Sequence, residues 1–156
     1  AQQAAHHLLD GLLIGAFDVR RFIQTLQEHD LMHRAIISSY NPFMLHRVRK
    51  HQKDVELALL TMSPYGIAVP LAKKLQARYV SCVMPIAKRW QLRYLRGVLP
   101  SESFLYWAQR EGLEAMAYCE EDRDTLKWLM KRGVTLFETN KPALLREELS
   151  KVHKKL

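Results

Sequence analysis

Five short runs rich in β-branched and other apolar residues punctuate the chain: Arg34–Ser39, Val55–Leu60, Tyr79–Met84, Leu113–Tyr118 and Val134–Glu138. Between most of them, apolar residues recur at helical spacing. Strands that alternate with helices imply βα units and a parallel sheet, which excludes most other architectures at once. No glycine-rich phosphate loop accompanies the pattern, so neither a dinucleotide fold nor a P-loop is signalled. A length of 156 residues suits one compact domain.

The helical stretches have readable ends. Phe17, Phe22, Ile23, Leu26 and Leu31 predict a helix capped by Asp18 and ending near Asp30. Pro42 suits the first turn of a second helix running to about Gln52. A short helix is expected after Pro70, and a basic helical stretch in "PIAKRWQLRYLRG". Pro100-Ser101 caps a helix over Glu102–Glu111, ended by Gly112. Another starts at Asp122 or Arg123 and ends at Gly133, and the last runs from Ala143 to about Val152. The expected division is an N-terminal extension, 1–16, followed by one α/β domain, 17–156.

Every apolar run is interrupted by Arg or Lys before it is long enough to span a bilayer. Cys82 and Cys119 are far apart with no CxxC, so neither a zinc site nor a redox motif is marked, and free thiols are the expectation. The chain opens at Ala1 without Met, which reads as a processed terminus, a cut boundary or a missing upstream domain.

The formal charge of +8 is uneven. From Leu57 to Ser101 there is no Asp or Glu, while Lys73, Lys74, Arg78, Lys88, Arg89, Arg93 and Arg96 all fall there. A field of one sign favours an anionic neighbour: RNA, an anionic lipid surface or an acidic subunit. Trp90 and Tyr94 in the same span suit stacking or a headgroup boundary, with core packing as the plainer role. A solvated basic face is the plainer reading of the charge itself.

Three segments carry a family resemblance. "DLMHRAIISSYNP", Asp30–Pro42, is similar to a "GL-drviiSSF-dP" pattern; "GLEAMAYCEED", Gly112–Asp122, to "GL-V-vWTVN"; and "GVTLFETNKP", Gly133–Pro142, to "GVDGIITDyP". Order and spacing agree over about Phe17–Leu149. The chain thus resembles the C-terminal half of the glycerophosphodiester phosphodiesterases, TIM-barrel enzymes that hydrolyse glycerophosphodiesters and some lysophospholipids with a divalent metal. The resemblance implies a partial barrel of about five βα units, since a full one needs eight strands and about 250 residues.

It also implies a loss. The family's catalytic His-Arg-Gly stretch, metal-binding Glu and Asp, second His and Glu-x-Lys strand belong to the half before the matched region. Here His6-His7 is followed by Leu, and no paired carboxylates precede Ser38. Within the matched half, Tyr118 stands where the family has Trp, Cys119 where it has Thr, Glu121 where it has Asn, and Asn140 where it has Asp. Phosphodiester hydrolysis needs charge neutralisation at phosphoryl oxygens and an acid for the leaving alkoxide. Ser38 and Ser39 supply neither and read as groups that cap the next helix. Ser38, Ser39, Tyr118, Glu121 and Asn140 are therefore expected to form the rim of a vestigial site with no catalytic residue, metal or cofactor. The expected function is an inactive structural subunit, with other subunits covering the open barrel edge. Its expected home is a mitochondrial assembly, and otherwise the cytoplasm. Two alternatives stand beside it: half of a metal-dependent phosphodiesterase completed by another segment, and a basic RNA-binding subunit of a ribosome.

Overall fold

A computed structural model describes residues 18–61, 68–82, 102–118 and 123–153. Five strands form one sheet: β1 (Ile36–Ser39), β2 (Glu56–Thr61), β3 (Tyr79–Cys82), β4 (Glu114–Tyr118) and β5 (Leu136–Glu138). Their spatial order is their sequence order, and all four pairings are parallel. A parallel sheet wound in one direction only is the arrangement of a (β/α) barrel; a doubly wound sheet would reverse its order partway. The molecule is a partial α/β barrel, as the alternation of strands and helices predicts.

Among the described residues, six helices accompany the strands: α1 (Val19–Glu28), α2 (Pro42–His51), α3 (Ala68–Lys74), α4 (Glu102–Arg110), α5 (Arg123–Lys131) and α6 (Pro142–His153). Register separates the two faces of the sheet, because successive strand residues point to opposite sides. Ile37, Leu57, Leu59, Val80, Ala115, Ala117 and Phe137 pack with Val19, Ile23, Leu45, Val48, Ala72, Phe104, Ala108 and Leu129 of the helices. That is the outer, helix-covered face and the main core. The opposite, inner face carries a smaller cluster of Ala58, Tyr79 and Met116, flanked by Ile36 and Leu136.

Four helices end in the same way. At the end of α1 the left-handed residue is Asp30, φ 52°, and Leu31 N–H donates back to the Leu26 carbonyl at 2.8 Å. After α3, α4 and α5 the left-handed residues are Gln76, Gly112 and Gly133, and Ala77, Leu113 and Val134 donate to Ala72, Ala108 and Leu129. This closure satisfies terminal carbonyls and turns the chain directly toward the next strand.

Most boundaries shift by a residue or two, and three of the differences have a visible cause. Arg34 lies not in β1 but in a 3₁₀ turn, Met32–Arg34, because its N–H donates to the Leu31 carbonyl at 3.0 Å. β5 begins at Leu136 rather than Val134, because Val134 N–H is used to close α5. α3 begins before Pro70, not after it; proline is tolerated in a first turn, where amides have no intrahelical acceptor. The extension 1–16 and the basic stretch of "PIAKRWQLRYLRG" lie outside the described residues.

Candidate functional site

Because every strand runs the same way, their C-terminal ends form one edge, where (β/α) barrels carry their chemistry. Ser38 and Ser39 end β1, Tyr118 ends β4, and Asn140 follows β5 by two residues. All four stand on that edge. They are not all on neighbouring strands, however. β4 and β5 are paired, with Tyr118 opposite Glu138, but β2 and β3 lie between them and β1. At about 4.8 Å per strand, Ser38 is roughly 14 Å along the sheet from Tyr118. Glu121 and Cys119 lie outside the described residues.

Two hydroxyls at this edge, those of Ser39 and Thr139, accept from backbone amides. The Ser39 hydroxyl accepts a hydrogen bond from Asn41 N–H at 3.0 Å. Asn41, not a serine, is the cap of α2: its Oδ1 accepts from Phe43 N–H at 3.0 Å. The serine cap expected from sequence is thus corrected by one step, because Pro42 fills N1 and puts Asn41 at the capping position. The last unit repeats the device. Thr139 Oγ1 accepts from Lys141 N–H at 3.0 Å, just before Pro142 opens α6.

Register places Ser38 on the inner face, in a row with Ala58, Tyr79 and Glu114. The next row is Leu60, Ser81, Met116 and Leu136, and the last is Tyr118 and Glu138. Two buried polar residues here escaped the sequence reading. Ser81 is completely buried and its hydroxyl has no hydrogen-bond partner among the described residues. Glu138 is 9% exposed, a carboxylate near the C-terminal edge at a position where the family pattern is apolar. Ser81 carried no signal inside an apolar run, but a lone Glu ending such a run was visible. Among the described residues, no three His, Cys, Asp or Glu side chains stand close enough to hold a metal ion.

The basic residues have mixed fates. Arg78 sits at the opposite, N-terminal end of the strands, where it bridges Glu56 and Glu114, its bond to Glu114 Oε1 being 2.8 Å. Those hydrogen bonds, Glu114 first, hold its pKa above the ordinary arginine value. Tyr79 donates to Glu56 Oε2 at 3.1 Å, and Thr135 donates to Glu114 Oε2 at 3.1 Å. Burial, reinforced by the Glu56 bond, pushes the Tyr79 phenol up to about 12. Lys73 pairs with Glu111 at 3.2 Å. Both cations therefore have carboxylate partners from just outside the acid-free span. Lys74 is exposed on α3. Lys88, Arg89, Arg93 and Arg96 lie outside the described residues.

A second ionic cluster joins α5 to α6. Glu148, 1% exposed, receives Arg123 at 2.6 Å, Lys151 at 2.8 Å and Lys127 at 3.8 Å. Arg123 also meets Glu147 at 2.9 Å and, with Lys151, draws its pKa down to about 2. Three cations around one buried carboxylate satisfy a charge that would otherwise be costly. The cluster ties the first residue of α5 and the Lys127 turn to α6.

No protein-family model matches the chain, and no curated protein matches its sequence. Solved structures do. A Galdieria sulphuraria protein provisionally assigned as a glycerophosphodiester phosphodiesterase superposes with a TM-score of 0.65 at 18% identity, over 87% of this chain and 52% of that one. The fold is half of a glycerophosphodiester phosphodiesterase barrel. A Parabacteroides distasonis glycerophosphodiester phosphodiesterase gives 0.59 at 15% identity, over 88% of this chain and 50% of that one. The Bacillus subtilis YkuI protein, with an EAL domain and solved with c-di-GMP and calcium, gives 0.56 at 12% identity, over 87% and 40%. The chain spans about half the length of these proteins. Identities this low establish architecture, and one architecture hosts several chemistries.

Proposed function

We propose that the chain is a catalytically inactive, phosphodiesterase-like half-barrel that acts as a structural subunit of a larger assembly. The observation that carries this reading is the use of the strand-end hydroxyls. Ser39 and Thr139 each brace a turn amide two residues ahead, so these two strand-end hydroxyls serve the backbone. The sheet also offers places for a partner. Among the described residues, β1 pairs only with β2 and β5 only with β4, leaving two outer edges. An unpaired edge is a ready template for another protein. Mitochondrial residence belongs to the same proposal, as does contact between Arg89, Arg93 and Arg96 and an anionic neighbour.

Purifying the chain from its native source should return it with stoichiometric protein partners. The chain itself should release no glycerol phosphate from glycerophosphocholine with Mg²⁺ or Ca²⁺. Metal-dependent release by the chain alone would overturn the proposal.

Glu138 supports a second reading. A buried carboxylate at the C-terminal end of a barrel strand is the type of group that metal-dependent phosphodiester hydrolysis uses. On that reading another segment or chain supplies the missing strands and ligands. Activity that appears only when a candidate complement is added, and disappears in Glu138→Gln, would favour it. Recovery of the chain with ribosomal RNA would favour the RNA-binding alternative instead.

A further inference from the structure

The charge pattern has a second feature, on the opposite side of β2 from the basic span. From Leu31 to Lys53 there is no Asp or Glu, while Arg34, Arg47, Arg49, Lys50 and Lys53 fall within it. This stretch folds as β1 and α2. α2 is fixed to the core by Leu45 and Val48, which are 0% and 2% exposed. Residues 43, 46, 47 and 50 follow the i, i+3, i+4, i+7 spacing that lines one helix face. On α2 that face is Phe43, His46, Arg47 and Lys50, all exposed.

Phe43 is the most exposed large hydrophobic residue described, at 77%, and Tyr40, three residues earlier, is 44% exposed. Among the described residues, neither Arg47 nor Lys50 has a carboxylate partner, in contrast to Arg78 and Lys73. Arg49, by contrast, is taken up by the carbonyls of Val55 and Gln76 at 2.9 and 2.8 Å. The outer face of α2 is thus a hydrocarbon ring at the first turn with two exposed cations one and two turns behind it, about 6 and 10 Å along the axis.

From this geometry we infer that the outer face of α2 docks on an anionic lipid surface, with Phe43 inserted below the headgroups and Arg47 and Lys50 on them. Charge complementarity selects an anionic partner. Phe43 selects the lipid among such partners. Its ring has no polar atom, and it projects from a convex helix corner rather than standing on a concave stacking platform of the kind that reads single-stranded RNA. Cationic side chains near such a surface and an apolar anchor each add to binding, and the cationic part weakens with salt. The inference is independent of whether the half-barrel is a scaffold or half of an enzyme.

Co-sedimentation of the full chain with vesicles tests it. Phosphatidylcholine vesicles doped with phosphatidylserine should carry the protein down at low salt, and phosphatidylcholine alone should not. Phe43→Ala should weaken binding about tenfold. Arg47→Glu with Lys50→Glu should weaken it by more than thirtyfold. Lys131→Glu, at the exposed end of α5, should leave it within about twofold, well short of the change expected for a cation on the lipid. Circular dichroism should be unchanged in every variant, because all four positions are exposed. Failure to sediment with the anionic vesicles, or equal sedimentation of the α2 variants and the parent chain, would overturn the inference. So would a double variant that loses single-stranded RNA binding but keeps its vesicle binding; the face would then belong to RNA.

Discussion

The two ends of the strand bundle are built from different materials. At the N-terminal end, long side chains cross between strands. Arg78 joins Glu56 on β2 to Glu114 on β4, and Arg49 donates to carbonyls of Lys53, Val55 and Gln76. At the C-terminal end, Ser39 and Thr139 make short, local bonds, each hydroxyl accepting from the amide two residues on. One end is tied across the sheet by long side chains, and at the other these two hydroxyls serve their own turns. In complete barrels the first end serves stability and the second serves chemistry. The half-barrel keeps that division even though its strand-end hydroxyls are committed to turns.

The difference can be broken most visibly at Arg49. Burial lowers its pKa, so the charge there leans on the carbonyls of Val55 and Gln76 that accept from it. Arg49→Met removes those donors and should cost about 3 kcal/mol of unfolding free energy, measured by urea denaturation. A loss under about 1 kcal/mol would show that water replaces the guanidinium at the turns.

Gly133 comes next. Its φ is +81°, and a Cβ there would lie 2.8 Å from the amide nitrogen of Gln109. The Gln109 side chain can swing away, but the left-handed backbone cannot be relieved so easily. Gly133→Ala should cost about 1.5 kcal/mol. The reverse change at Gln76, φ 52°, should leave the protein equally or slightly more stable, because glycine relieves strain there while adding entropy to the unfolded chain.

Arg78→Met should cost only about 1 kcal/mol, since the arginine and both its carboxylates are partly exposed and screened. Its network has a clearer signature in alkali. The folded Tyr79 phenol titrates near 12, above the unfolded value of about 10. A raised phenol contributes stability that is complete below the unfolded pKa and is lost as pH rises through the folded one. Melting temperature should therefore fall between about pH 10 and 12 more steeply in the parent than in Tyr79→Phe. Parallel curves would remove Tyr79 from the network.

The smallest effects belong to the other end. Ser39→Ala and Thr139→Ala should each cost roughly 0.5 kcal/mol in thermal melts, as exposed turn bonds do. A much larger loss at Ser39 alone would mean that the two matching turns are not equivalent.

The sheet was legible because each strand announces itself locally, as an apolar run closed by a turn. Gly112 and Gly133 announced two helix ends in the same way. Asp30 and Gln76 hold equivalent left-handed positions without glycine, so nothing in their identity disclosed them. The N-terminal network was invisible for another reason. Its partners are 22 and 36 residues apart, and pairing at that distance depends on register. Counting charge along the sequence made Arg78 look free because its carboxylates lie just beyond the ends of the acid-free span. At the C-terminal edge, the resemblance marked positions, but it could not reveal that Ser39 faces its own turn.

Strand order has a consequence for how this chain is made. Each strand pairs with the one before it, so no pairing waits for a distant segment. Sequence-local assembly of this kind lowers contact order and favours rapid folding. A nascent chain leaving the ribosome can add one strand and helix at a time to an already ordered edge, as domains do when they fold from the N-terminus. Among the described strands, the growing edge is always the newest, from β1 through to β5.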